Sequence, residues 1–152
     1  MDVYSIVLFL HIVGAVLLFV LLTVEGVTLR QATTGAAFNR VAGPISALLI
    51  LIPGFYMVAT TWGWKGWVVV GLASWVLIAV VGAITGVSVL RGRMAPRTAA
   101  ISWAARVGLA LGVLFLMTAK PDLAGSLVSV VVGTVLGLAA GLAVLGRRQV
   151  AG

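Results

Sequence analysis

The chain is written in long apolar runs, separated by short segments that hold nearly all of its charge. The runs extend from about Tyr4 to Thr23, Pro44 to Thr61, Trp67 to Leu90, Thr98 to Met117 and Leu123 to Leu145. Each is close to the roughly 20 residues needed to cross a hydrocarbon core of about 30 Å. The pattern predicts an all-α integral membrane bundle of five transmembrane helices, forming one domain over residues 1–152.

The breaks are as informative as the runs. Val3 follows Asp2 with no basic segment before it, so the first run reads as a retained span and not as a cleaved leader. Residues Gln31 to Gly43 read as the first loop, with Ala36, Ala37, Phe38, Val41 and Ala42 giving it a weak amphipathic pattern suited to the interface. Pro44 then suits the first turn of span 2, where its missing N–H costs nothing. Pro53 beside Gly54 predicts a kink in mid-span. In Trp62-Gly63-Trp64-Lys65-Gly66-Trp67, three tryptophans surround one lysine, the composition of an aromatic belt at a membrane–water boundary. Lys120-Pro121-Asp122 makes a tight polar turn between spans 4 and 5.

Composition fixes the solvent. With 62% hydrophobic residues, 9% charged residues and a mean hydropathy of +1.26, a soluble domain is excluded. The net charge of +7 does not indicate nucleic-acid binding, because the basic residues flank apolar spans and form no dense run of their own. They sort by side instead. Arg30 and Arg40 fall in the first loop, Arg91, Arg93 and Arg97 in the third, and Arg147 and Arg148 in the tail. Lys65, Lys120, Asp2 and Asp122 fall on the opposite side. Retention of arginine on the cytoplasmic side then predicts an outside N-terminus and a cytoplasmic C-terminus in a multi-pass membrane protein. The absence of cysteine excludes disulfides, thiol catalysis and thiolate metal sites.

Nineteen glycines exceed the needs of the loops. Gly82 and Gly86 form a four-residue repeat on span 3, and Gly133, Gly137 and Gly141 extend one along span 5. Small residues at this spacing let backbones approach closely, either within one bundle or across a homodimer or larger membrane complex.

Ionisable residues within lipid are costly and are functional candidates by default. His11 lies seven residues beyond Tyr4, roughly 10 Å below the outer face at 1.5 Å per residue. A neutral imidazole there can ligate haem iron or copper, or bond a quinone-like headgroup; the alternative is a histidine satisfied by a neighbouring helix. By depth, Tyr56, Met57, Trp75 and Met117 are its candidate neighbours. Tyr56 and Trp75 suit a cofactor slot, whereas His11, Met57 and Met117 form a nitrogen-and-thioether set suited to copper(I) or a His/Met-ligated haem. Methionine is also ordinary core filler. Arg106, about eight residues inside span 4, and Glu25, the sole glutamate, are expected to form a structural ion pair. Gripping an anionic substrate or a haem propionate is the other role open to the arginine. A second histidine, a carboxylate pair, phosphate loops and zinc spacings are all missing, which excludes an autonomous hydrolase.

Three stretches carry a resemblance: Leu8-Phe9-Leu10-His11-Ile12-Val13-Gly14-Ala15, Pro53-Gly54-Phe55-Tyr56-Met57 with the following tryptophans, and Phe115-Leu116-Met117-Thr118-Ala119-Lys120-Pro121. Together they resemble an uncharacterised family of small bacterial integral membrane proteins. That family is similar to the copper-resistance D domain and, more distantly, to the membrane-embedded haem-dependent protoporphyrinogen oxidase. The resemblance implies metal or haem handling at His11. Span 1 departs from the oxidase pattern, continuing as Val16 to Leu22 without its tryptophan and glycine. Two functions follow as expectations: a ligand-binding membrane protein built on His11, or a non-enzymatic accessory subunit. A small oligomeric transporter is a third, with few polar residues to outline a path.

Overall fold

The computed structural model describes residues 2–31 and 36–150, with the side chains of 30, 31, 36, 37, 40 and 147–150 left aside. The five helices are α1 (Val3–Gln31), α2 (Ala36–Met57), α3 (Gly66–Leu90), α4 (Pro96–Ala119) and α5 (Leu123–Val150). Helices α1, α3, α4 and α5 each contain a segment long and apolar enough to cross a membrane, and a fifth such segment runs from Val41 in α2 to Trp62. Large apolar side chains such as Phe9, Ile52, Phe115 and Leu136 stand exposed along them, as expected of helices that meet lipid.

Two boundaries differ from those the sequence predicts. Helix α1 runs through Glu25 and Gly26 to Gln31. Helix α2 already begins at Ala36, so Pro44 lies inside it and not in its first turn. Proline there removes the N–H that would serve the Arg40 carbonyl, a loss that membrane helices absorb through neighbouring groups. The part of the predicted first loop at 32–35 lies outside the described residues. The first-turn role expected of Pro44 belongs instead to Pro96, which opens α4 behind Ala95.

The helix ends show why the chain turns where it does. Ser5 N–H bonds an Asp2 carboxylate oxygen at 3.1 Å, capping α1. Bonding from the Ser5 side chain, then from its backbone, holds the Asp2 carboxyl below its ordinary value. Asp122 caps α5 in the same way, through Gly125 N–H at 2.8 Å. Gly92, at φ +64°, closes α3 with Gly92 N–H to Val89 O and Arg93 N–H to Ser88 O, the paired bonds of a Schellman ending. Lys120 takes the left-handed position after α4 without being glycine, at φ 48°. Its ammonium lies 5.9 Å from the centre of the Trp67 ring.

The chain divides into two compact units, Met1–Lys65 and Gly66–Gly152. In the first, α1 and α2 pair antiparallel. Gly14 meets Leu49 so closely that a Cβ on Gly14 would lie 2.8 Å from the Leu49 backbone. After Pro53, α2 ends in a π-helical turn over Val58–Trp62, closed by Gly63 N–H to Val58 O at 2.8 Å. The second unit is an antiparallel meander of α3, α4 and α5. Its tightest seam joins α4 to α5: Ala104, Gly108 and Gly112 face Ser129, Gly133, Gly137 and Gly141. A Cβ on Gly112 would lie 2.7 Å from the Ser129 carbonyl, and one on Gly137 would lie 2.8 Å from Gly108 Cα. Helix α4 of the same chain therefore fills the glycine strip on α5.

Candidate functional site

Proline 53 shapes the surroundings of His11. It supplies no N–H to the Leu49 carbonyl, and the next residue, Gly54, supplies no side chain. The imidazole of His11 occupies the resulting recess. Its Cε1 and Nδ1 would lie 3.4 and 3.5 Å from a Cβ placed on Gly54. Nδ1 lies 2.8 Å from the Ile50 carbonyl oxygen. A carbonyl only accepts, so Nδ1–H is the donor, and the neutral ring then carries its lone pair on Nε2. One turn away, the hydroxyl of Ser46, 2% exposed, donates to the Gly14 carbonyl at 3.0 Å. Each helix thus sends a side chain to the other's backbone, which satisfies the Ser46 hydroxyl and the Nδ1–H of His11 inside an apolar pair.

Toward the Tyr4 and Trp62 end of this hairpin the lining becomes aromatic. Trp62 Nε1–H donates to the Tyr4 hydroxyl at 3.3 Å. Phe55 and Trp64 meet edge to face with centroids 6.2 Å apart, and the Lys65 ammonium lies 5.8 Å from the Trp62 ring centre. Tyr4 is seven residues from His11, so both lie on one face of α1, two turns apart.

The other predicted site residues are divided between the two units. Met57 is buried on α2, and Ile50, Gly54 and Met57 share one face of that helix through their spacings of four and three. Tyr56 belongs to a neighbouring face and is 40% exposed; the ring partner found for His11 is Ile50, not the tyrosine hydroxyl. Trp75 and Met117 belong to the second unit, where the methyl end of Met117 rests on Gly71. Among the described residues, no group of three or more His, Cys, Asp or Glu side chains is placed to hold a metal.

Arg106 is the eleventh residue of α4 and 4% exposed. Gly82 makes room for it: a Cβ there would lie 3.0 Å from Nη1 of the guanidinium. One turn on, Thr85 and Ser102 join their hydroxyls at 2.7 Å across the same α3–α4 seam. Half of the α3 glycine pair is thus explained by a buried arginine, whereas Gly86 has open space around it. Glu25 lies in α1 of the first unit, with its carbonyl accepting from Thr28 Oγ1 at 2.9 Å.

Sequence reasoning missed Ser46 and the Ala104-Gly108-Gly112 series. The second was legible, since small residues recur every four positions on α4 as they do on α5. Comparison of the chain with known protein families, curated proteins and solved structures gives no match.

Proposed function

We propose that this is a multi-pass protein of a bacterial cytoplasmic membrane that binds one redox-active or metal-bearing ligand through Nε2 of His11, near the outer face. The observation that carries the reading is the 2.8 Å contact between His11 Nδ1 and the Ile50 carbonyl. Ligand histidines in proteins commonly donate their other ring N–H to a carbonyl, which fixes the tautomer and aims the lone pair. In the neutral ring the Ile50 carbonyl fixes the proton on Nδ1, which leaves Nε2 as the acceptor nitrogen that a ligand can use. Haem iron or copper(I) fits this donor chemistry, with Met57 as the soft second donor on the facing side of α2. Either would supply a one-electron centre when bound.

The orientation rests on the arginines. Arg91, Arg93 and Arg97 cluster at the α3–α4 turn, while Lys65 and Lys120 mark the opposite ends of the helices. Reporters fused after Arg148, or placed between Arg91 and Arg97, are expected to be cytoplasmic, and one at Lys65 external. An external C-terminus would reverse the arrangement.

The functional test is an absorption spectrum and metal analysis of gently purified protein, beside His11→Ala. A bound group that disappears in the variant while the helical content persists supports the reading. A partner protein that co-purifies, with no bound group and no change in His11→Ala, would replace it with that of an accessory subunit.

A further inference from the structure

The chemistry of the imidazole narrows the class of ligand, given that His11 is the ligand-bearing residue. With its proton on Nδ1 and committed to Ile50, neutral His11 offers only a lone pair at Nε2. It can accept a hydrogen bond or ligate a metal, and it cannot donate. We propose that the ligand is a membrane-soluble hydroxylated aromatic of the quinol class, whose O–H donates to His11 Nε2.

Three observations favour this class over a metal-bearing group. The described residues gather no cluster of metal-binding side chains, so a metal would depend on one imidazole and a thioether, whereas a hydroxyl needs one acceptor. Helices α1 and α2 touch through Gly14 and Leu49 one turn from His11, so a macrocycle would have to lie against the outside of the pair, whereas a single ring needs less room. The aromatic layer of Tyr4, Trp62, Phe55 and Trp64 offers flat apolar surface at the outer end of the same hairpin, suited to a single ring with a lipid tail.

The same geometry discriminates between oxidation states. A quinol presents hydroxyl donors to Nε2. Its oxidised quinone presents carbonyl oxygens, which set lone pair against lone pair. The site therefore selects the reduced form. His11 binds here; no bond is made or broken.

The probes are a decyl-chain benzoquinol and its benzoquinone, titrated calorimetrically and without oxygen into the full-length protein in nanodiscs. The quinol is expected to bind about tenfold more tightly than the quinone, the worth of one hydrogen bond against an unmet acceptor. His11→Ala and the ring-preserving His11→Phe should abolish that preference. Ser46→Ala, which breaks the neighbouring interhelix bond and leaves the imidazole, should keep it. The wild-type ratio is informative even where a variant does not fold. Equal affinities, or tighter binding of the quinone, would overturn the quinol class. Haem or copper lost in His11→Ala, with no quinol binding, would overturn it too but leave His11 as the ligand residue. If His11→Ala changes the binding of neither quinol nor any co-purified group, both readings fall.

Discussion

The two antiparallel pairs α1–α2 and α4–α5 achieve close packing by different means. Between α4 and α5 the backbones approach because side chains are absent: glycine or alanine at every fourth position on α4 meets glycine or serine at every fourth position on α5. Between α1 and α2 there is one such point, Gly14 on Leu49, and polar side chains bracket it. His11 reaches the Ile50 carbonyl from α1, and Ser46 reaches the Gly14 carbonyl from α2. The glycine seam is a packing device. The hydrogen-bonded seam holds the one histidine, pinned at one nitrogen and chemically open at the other. A histidine placed on the glycine seam would have had no room.

The largest effect is expected from crowding the glycine seam. Gly137→Val should cost about 3 kcal/mol or more, since its branched side chain meets the Gly108 backbone with no flexible neighbour to yield. Thermal unfolding in detergent, followed by circular dichroism, measures it. Gly14→Ala should cost about 2 kcal/mol, because the contact it crowds is also backbone but is single. An equal or larger loss at Gly14 would mean that the first hairpin, too, depends chiefly on glycine packing. Ser46→Ala should cost about 0.6 kcal/mol, the mean worth of an interhelical hydrogen bond in lipid. A loss of 2 kcal/mol or more there would give the hydrogen bonds a larger share than the comparison allots. Gly86→Ala should be neutral or stabilise by up to about 1 kcal/mol, since it meets open space and gains helix propensity. A substantial loss at Gly86 would show that a second chain covers that position.

Much of the fold was legible because apolar runs of membrane length permit few alternatives. All five helices and the turn at Lys120 follow from hydropathy and charge alone. The start of α2 was not legible, because proline signals a helix start in water more reliably than in lipid. Pro44 sits within the helix. His11 stood out as the one histidine in an apolar span, but its partner did not. The sequence suggested a side chain, Tyr56, for what is a backbone carbonyl beside Pro53. No residue type marks a carbonyl, so a hydrogen bond to one is invisible before the helices are paired. The glycine pair on α3 misled for a related reason. Spacing predicts that Gly82 and Gly86 act together, yet Gly82 makes room for the Arg106 guanidinium and Gly86 faces open space.

The account depends most on the protonation of one ring, and the chain contains only one histidine. Nitrogen NMR of protein labelled with 15N-histidine, recorded at about pH 8 in nanodiscs, therefore reports His11 without assignment ambiguity. The predicted spectrum has a protonated, hydrogen-bonded Nδ1 and a bare Nε2, with the Nδ1–H shift moving when Pro53→Ala restores a donor beside Ile50. A proton found on Nε2 instead would contradict the account, because the ring would then offer a donor where the site is argued to accept.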